Sequence, residues 1–399
     1  MFADAARRLG FDIALATDRC HVLEDPWGDH AIPVRFEDPY ASRDILATAG
    51  PFDGIVAVAD RPTFLAALTA EVLGIPHHPP SAVAMCRDKF LARQAFQSAG
   101  LPVPEFFRVS IHNDPAEMAR RASFPCVLKP LGLSGSRGVI RANSVEEFVG
   151  AFVRVRALLE STDVAALRED QNRYIQVERF IEGREFALEG LVARGELRIL
   201  AIFDKPDSLN GPFFEETIYV TPSRESEAAQ RRMIEATRRA VRALGLTHGP
   251  IHAEARVNGE GVWVLEVAAR PIGGLCARTL RFERDMPLEE LILQHAVGQD
   301  VWRLEPCDSA SGVMMIPIPK AGIYESVDGV ESAAKIRDVE DIVITAKQGQ
   351  KILPLPEGSS YLGFIFARAE SPERVEQSLR KAHACLHFEI ATALPVVGR

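Results

Sequence analysis

The first hundred residues alternate between apolar runs of strand length and stretches with helical spacing. Residues 3–10 predict a helix, 11–17 a strand, 54–59 an apolar strand, and 63–73 an amphipathic helix stopped by Gly74. Such alternation predicts a small parallel sheet. Doubly wound domains open on a strand, whereas this chain opens inside a predicted helix. The expectation is a missing first strand, with the true start upstream of Met1.

Leu101-Pro102-Val103-Pro104 marks a joint. Beyond it, 126–129, 137–141, 174–178, 184–192 and 196–203 read as strands, with a helix over 145–160. Strands that follow one another without helices between them predict antiparallel hairpins, hence an α+β module. A polar helix over 225–244 leads to a hairpin, 248–257 and 262–268. Pro306 and residues 309–312 mark a second joint. The remainder predicts strands near 314–318, 342–345 and 362–367 and a closing helix over 372–387. The expected organisation is therefore an α/β domain over 1–104, an α+β domain of two lobes over 105–305 (about 120–182 and 183–305), and an α+β extension over 306–399.

The chain has 399 residues, 47% hydrophobic and 25% charged, enough for two or three domains with buried cores. A net charge of −9 argues against nucleic acid or an anionic membrane as partner. No apolar run approaches 18 residues, so no transmembrane helix is predicted. The start, Met1-Phe2-Ala3-Asp4, lacks signal-peptide character, and six scattered cysteines include no CxxC pair. A cytoplasmic protein with reduced thiols is expected.

Three segments carry candidate chemistry. In Phe124-Pro-Cys-Val-Leu-Lys-Pro-Leu-Gly-Leu-Ser-Gly-Ser-Arg-Gly-Val139 a strand delivers Lys129 ahead of a loop rich in Gly and Ser. Gly132, Gly135 and Gly138 let backbone N–H groups converge on an anion, and Ser134 and Ser136 add hydroxyls. Neither a P-loop nor a dinucleotide fingerprint is present. The segment reads as a phosphate cradle or as a surface hairpin. In Tyr174-Ile-Gln-Val-Glu-Arg-Phe-Ile-Glu-Gly-Arg-Glu185 a strand ends at Glu178 and Gly183 turns the chain back toward Glu185. Its linker can read an adenine edge, or can be an ordinary strand–turn–strand with surface acids.

The third segment is His252-Ala-Glu-Ala-Arg-Val-Asn-Gly-Glu-Gly-Val-Trp-Val-Leu-Glu-Val-Ala-Ala-Arg270. A turn centred on Glu260 sets Glu254 across from Glu266, with His252, Glu254 and Arg256 on one face and Glu266, Ala268 and Arg270 on the partner. Opposed carboxylates about 5 Å apart repel. A Mg²⁺ ion between them relieves that repulsion, whereas solvated acids screened by Arg256 and Arg270 are the plain alternative. His77-His78 lies between prolines and reads as loop.

Taken in order, these motifs resemble the ATP-grasp superfamily over roughly residues 60–300, with Arg87-Asp88-Lys89 opening a helix before Gly100-Leu-Pro-Val-Pro104. The resemblance implies that Lys89 and Lys129 contact ATP phosphates, that Ser134, Gly135, Ser136, Arg137 and Gly138 form the flexible loop above them, and that Glu178, Arg179, Phe180 and Ile181 form the adenine hinge. Glu185 becomes the ribose ligand, and Glu254 and Glu266 become the Mg²⁺ ligands, with Mn²⁺ as an alternative ion. Many family members carry Glu-x-Asn at the second metal position, but this chain has Glu266-Val-Ala-Ala-Arg270. That segment, Gly273-Gly274, Gly312-Val-Met-Met-Ile-Pro317 and Tyr361-Leu-Gly-Phe-Ile-Phe366 are similar to bacterial L-amino-acid ligases, which make dipeptides. The same resemblance sets Glu216, Gly273 and Gly274 beside the substrate site. The implied activity joins a small carboxylate, activated as an acyl phosphate, to an amine, with amino acids as substrates. Lys129 and Arg270 are the catalytic candidates, Arg270 for the tetrahedral oxyanion. Rival readings are a purine-biosynthetic or carboxylase-type ligase, an acyl kinase and a non-catalytic ATP-binding module. A homodimer is left open.

Overall fold

The computed structural model describes residues 1–18 and 31–392. Helix Phe2–Leu9 opens the chain, and Ala16–Thr17 pairs in parallel with Ile32–Pro33. Of the strand expected over 11–17, only the last two residues find a ladder. Residues 54–58 form no strand. Their backbone is packed so tightly on helix Leu288–Ala296 that a Cβ on Gly54 would lie 2.7 Å from the Ala296 carbonyl oxygen. The apolar run is consumed by that packing rather than by a neighbouring strand.

Helix Asp60–Leu73 begins three residues before the expected start and ends where Gly74 turns left-handed at φ 68°. Its Asp60 sits in the first turn, where the helix dipole favours an acid. Helix Lys89–Ser98 starts at Asp88, whose carboxylate accepts from the amides of Phe90 (2.9 Å) and Leu91 (3.1 Å). That cap fixes Lys89 at the first helical position.

The smaller α+β lobe is a four-stranded antiparallel sheet in the order Phe106–Ser110, Tyr174–Arg179, Cys126–Pro130, Ile140–Ala142. Helix Val145–Leu159 covers one face and buries Phe148, Phe152, Val155 and Leu159. Each such side chain contributes about 1.5–3 kcal/mol through removal from water. Residues 137–139, expected in a strand, stay in the loop before Ile140.

The larger sheet has eight strands and is antiparallel at every pairing. Its order runs Gly261–Ala268, Gly249–Asn258, Arg184–Ala193, Glu196–Asp204, Ile218–Thr221, Ala310–Ile316, Gly363–Ala369, Val339–Ile344. The sheet passes straight through the joint expected near residue 306: Ile218–Thr221 pairs with Ala310–Ile316. Helix Glu227–Leu244 packs on one end of this sheet and helix Pro372–His383 on the other. A separate three-stranded sheet joins Lys351–Ile352, Gly322–Asp328 and His387–Ala391.

The 252–270 hairpin turns through Gly259-Glu260, and Asn258 Oδ1 accepts from the amides of Glu260 (2.9 Å) and Gly261 (3.2 Å). A two-residue turn alone would set Glu254 opposite Leu265. A bulge after Glu254 inserts one residue in the partner strand, so Glu254 faces Glu266 after all.

Among the described residues no helix is long and apolar enough to cross a membrane. Five cysteines are free thiols, and Cys20 lies outside the described residues.

Candidate active site

A cavity of about 530 Å³ opens where the smaller sheet, the larger sheet, the amino-terminal helices and the carboxy-terminal strands meet. Its size is that of a small-molecule site. Lys89, Lys129, Ser134, Gly135, Ser136, Glu178, Phe180, Ile181, Glu185, Glu216, Glu254, Glu266, Arg270, Gly273 and Gly274 all line it, although they come from segments far apart in sequence. Arg137, Gly138 and Arg179 do not. Arg179 ends a strand with its side chain exposed. The Arg137 guanidinium and the Gly138 amide turn away, toward the carboxy-terminal domain.

The strand Cys126–Pro130 carries Lys129 to the floor of the cavity, where it pairs with Glu178 on the neighbouring strand. Arg93 Nη2 donates to the same carboxylate at 3.0 Å and Gln176 Nε2 at 2.9 Å. Burial pushes the Glu178 carboxyl up, but Arg93 and Lys129 outweigh it and hold it at about 2. Lys89 Nζ donates to the Leu133 carbonyl at 2.6 Å and stands 3.7 Å from Glu266. The two expected phosphate lysines thus flank the Gly/Ser loop. Gly135 (φ 63°) and Ser136 (φ 54°) adopt left-handed backbone at its tip. In the expected adenine hinge, the Phe180 amide donates to the Pro125 carbonyl (2.8 Å) and the Ile181 carbonyl accepts from Arg256 (2.7 Å). Those two backbone groups are already used within the protein.

The acids form a tighter group than the hairpin alone predicts. Glu185, Glu216 and Glu254 each bring an oxygen within 4.8 Å of the others. Lys205, nearly buried, donates to all three: to Glu185 at 2.8 Å, to Glu254 at 3.1 Å and to Glu216. Arg256 Nε donates to the second Glu185 oxygen at 2.8 Å. Glu185, expected at a ribose, is therefore tied into this cluster, and Glu216, expected beside the substrate, is a third acid of the group. Glu266 lies outside that triplet, beside Lys89. His252 holds Glu189 through Nδ1 and stands 3.6 Å from Glu254 through Nε2.

Burial raises the Glu216 carboxyl to about 7, with Lys205 opposing and Glu254 and Glu185 adding to the rise. Burial would also raise Glu254, but Lys205 and His252 hold it well below the ordinary carboxylate range. Burial would lower His252, yet Glu189 and Glu254 lift it to about 9. Glu185, Glu216, Glu254 and the neighbouring Glu189 face Lys205, Arg256 and His252, and the oxygen atoms that Glu185, Glu216 and Glu254 bring together are the ligand type a hard divalent cation takes.

These shifts set a pH dependence. Glu178 and Glu254 titrate below their ordinary 4.5, so the stability they contribute exists above 4.5 and is lost as pH falls through their folded values. Glu216 holds a proton that the unfolded chain has released above 4.5, and His252 one released above 6.5; both contributions vanish as pH rises, to about 7 and about 9 respectively. Metal-free thermal stability is expected to climb from pH 2 to 4.5 and to decline from 4.5 to 9. Melts in chelator check this. A His252→Gln variant with an equally steep decline above 6.5 would exclude His252 as its source.

Arg270 follows the hairpin and its guanidinium forks onto Asp60, at 2.8 Å from Nε and 2.8 Å from Nη2. Nη1 donates to the Pro271 carbonyl at 2.9 Å. Burial would raise the Asp60 carboxyl, but Arg270, then Lys89, keep it low. Arg270, expected on the same face as Glu266, lines the same cavity and is in addition clamped by an acid from the amino-terminal part of the chain. Tyr219, Cys276, Met315, Tyr361 and Phe364 add apolar surface to the cavity lining, and Lys205 Nζ stands 5.1 Å from the centre of the Tyr219 ring. Gly274 (φ 61°) lets the chain pass the Phe364 ring, which a Cβ would meet at 3.3 Å.

Asp60, Arg93 and Lys205 escaped the sequence reading. Lys205 follows an apolar strand directly, as Lys129 stands at the end of another, and that shared placement was the available signal.

Three family models cover most of the chain: an ATP-grasp N-terminal domain over residues 3–77, an ATP-grasp domain over 122–279 and L-amino acid ligase C-terminal domain 2 over 314–391. The chain belongs to the ATP-grasp superfamily and has the ATP-grasp fold. Within that class its carboxy-terminal domain is of the L-amino acid ligase kind. It is similar to the alanine–anticapsin ligase of Bacillus subtilis, 29% identical over 58% of this chain and 51% of that protein. It is also similar to an L-arginine-specific L-amino acid ligase of Bacillus subtilis, 21% identical over 92% of this chain and 89% of the other. An L-amino acid ligase structure from Bacillus licheniformis matches with a TM-score of 0.83 at 29% identity, covering 98% of this chain and 96% of that one. The chain spans about half the length of several curated relatives it matches.

Proposed function

We propose that this chain is an ATP-dependent carboxylate–amine ligase that joins amino acids through an acyl phosphate, releasing ADP and phosphate. The observation that carries this reading is the convergence of two lysines, the Gly/Ser loop, three clustered acids and Arg270 on one cavity. The names of the relatives, which are ligases of amino acids, support the substrate class.

Charge dictates the division of labour. A carboxylate attacking a γ-phosphate brings two anions together, so catalysis rests on positioning and neutralisation. Lys89 and Lys129 would hold the phosphates, and Ser134 and Ser136 would add hydroxyl donors. Glu185, Glu216 and Glu254, with Glu266 beside them, would hold Mg²⁺, or Mn²⁺ in its place. Such an ion supplies charge neutralisation at the phosphates. Tyr219, Met315 and Phe364 would take an apolar side chain, Glu216 and Gly273-Gly274 would border the substrate, and Arg270 would stabilise the oxyanion as the amine attacks.

A screen of amino-acid pairs for phosphate release, with mass spectrometry of the products, tests the proposal. The expected result is ADP formation that depends on both partners and an amide product. Turnover that instead requires bicarbonate or a ribonucleotide would replace the amine-ligase reading, and no ADP with any pair would leave only nucleotide binding.

Lys129→Ala is expected to fold, because Glu178 keeps Arg93 and Gln176. Loss of one charge-assisted contact to phosphate weakens nucleotide binding by about 10- to 100-fold. Calorimetric titration with a non-hydrolysable ATP analogue measures it, and wild-type affinity would remove Lys129 from the site.

A further inference from the structure

The acyl phosphate postulated above is open to water as well as to the amine, so something must keep the Gly/Ser loop closed over it. The loop's end is held by contacts from the carboxy-terminal domain. Between strands Lys351–Ile352 and Gly363–Ala369, the connecting segment runs from the cavity lining to the smaller lobe. The Gly138 amide donates to the Pro356 carbonyl at 2.8 Å, and Arg137 Nε donates to the Glu357 carbonyl at 2.8 Å. Arg154, on the helix behind the loop, forks onto the Glu357 carboxylate through Nε and Nη2, the latter at 2.8 Å. Two residues further on, Ser359 and then Ser360 and Tyr361 line the cavity itself.

The segment is built to hold this shape. The Gly358 amide donates to the Pro354 carbonyl at 2.9 Å, closing a tight turn. A Cβ on Gly358 would lie 1.8 Å from the Leu353 carbonyl oxygen, so only glycine fits there. Gly138 is equally constrained: it has φ 74°, and a Cβ would meet Pro130 at 2.6 Å and Leu158 at 2.9 Å. The loop's last residue and the strap's turn therefore meet backbone to backbone, with no side chain between them.

We propose that the strap formed by residues 353–362 is a latch on the phosphate loop, and that Glu357 and Arg154 are its positioning pair, setting how the acyl phosphate divides between amine and water. The inference rests on the ligase reading above but concerns a different quantity. Neither residue lines the cavity, so neither touches substrate. The pair acts through Gly138 and Arg137, whose partners are the consecutive carbonyls of Pro356 and Glu357 inside the strap's turn. In the water branch the P–O–C acyl linkage is cleaved by water to the free carboxylate and phosphate. In the amine branch the nitrogen forms the C–N bond, phosphate leaves with the C–O electrons, and the amine proton passes to solvent. ATP is consumed equally in both, so the ratio of amide to ADP reads the latch alone.

The test compares Arg154→Ala, Glu357→Ala and the exchanged double variant Arg154→Glu/Glu357→Arg with the wild type, all at saturating ATP, Mg²⁺ and an amino-acid pair found productive in the screen. Both single variants are expected to release ADP near the wild-type rate while amide per ADP falls about three- to fivefold, the scale of a partly exposed bidentate pair. The exchanged pair is expected to recover most of the ratio. In parallel, hydrogen exchange at the Gly138 amide, with a non-hydrolysable ATP analogue bound, is expected to accelerate in both singles and not in the exchange. An unchanged amide-to-ADP ratio in the singles overturns the latch. So does a lowered ratio with wild-type protection at Gly138, because the effect would then bypass the loop. A wild type that makes no amide from any pair sinks the ligase reading instead, and Gly138 protection still decides whether the strap holds the loop.

Discussion

Lys205→Met is expected to cost about 3–5 kcal/mol of stability in the absence of divalent metal, the scale for removing one partner of a buried charge group. Lys205 is the ammonium shared by Glu185, Glu216 and Glu254, and all four groups are largely enclosed. Methionine keeps the length of the side chain and removes the charge. Three carboxylates within 4.8 Å of one another are then opposed only by Arg256 on Glu185 and His252 near Glu254. The chain relieves this by protonating an acid, and Glu216, already at about 7, is the one that gives way first. A metal offers the other relief. Any ion that binds the native state alone stabilises it by mass action, so Mg²⁺ is expected to raise the melting temperature of Lys205→Met by more than it raises that of the wild type. Melting curves with and without Mg²⁺ decide it. Equal protection of the two proteins by Mg²⁺ would show that the acid cluster is not where the metal sits, and a wild-type melting temperature in chelator would show that the acids need no counterion.

How far the sequence carried this picture differs between elements. The hairpin over 252–270 was legible because alternation and the Asn258-Gly259-Glu260-Gly261 turn are local signals. Even there, the Glu254–Glu266 opposition arises from a bulge that no pattern announces. A turn centred on Glu260 and a two-residue turn plus a bulge give the same pairing by different routes. The run over 54–59 shows the opposite case. Its apolar composition is that of a strand, but Gly54 presses on Ala296, some 240 residues away in sequence, and the ladder never forms. The third acid of the cluster was visible only as a residue near the substrate, because Glu216 follows a coil and meets Lys205 by tertiary packing alone. The same holds for Asp60, which reads locally as an ordinary first-turn acid of a helix. Nothing within ten residues of it points to Arg270. Across the joint expected at Pro306 the backbone ladder is continuous, with Ile218–Thr221 paired to Ala310–Ile316.

Arg270→Ala is expected to slow ligation about 10²- to 10³-fold at saturating Mg²⁺ and ATP, the usual range for loss of an oxyanion donor. The competing account is structural. Arg270 forks onto Asp60 and so ties helix Asp60–Leu73 to the end of the hairpin, and its loss could act through that tie alone. Two further variants separate the accounts. Asp60→Asn breaks the charge pair but leaves the guanidinium in the cavity, while Glu266→Gln leaves both Arg270 and Asp60 and removes the charge of a proposed metal ligand. If Arg270 stabilises the oxyanion, Asp60→Asn loses much less turnover than Arg270→Ala, although both melt at a similar, lowered temperature. Glu266→Gln then shows a raised Mg²⁺ requirement, with turnover recovering as the ion is added, a recovery that Arg270→Ala does not make. Nucleotide affinity gives the cross-check, since Arg270→Ala keeps Lys89, Lys129 and the acid cluster and is expected to bind ATP analogue within a few-fold of the wild type. Equal turnover losses in Asp60→Asn and Arg270→Ala would assign the arginine to holding the domains together. Wild-type ligation by Arg270→Ala at saturating metal would take the residue out of the chemistry altogether.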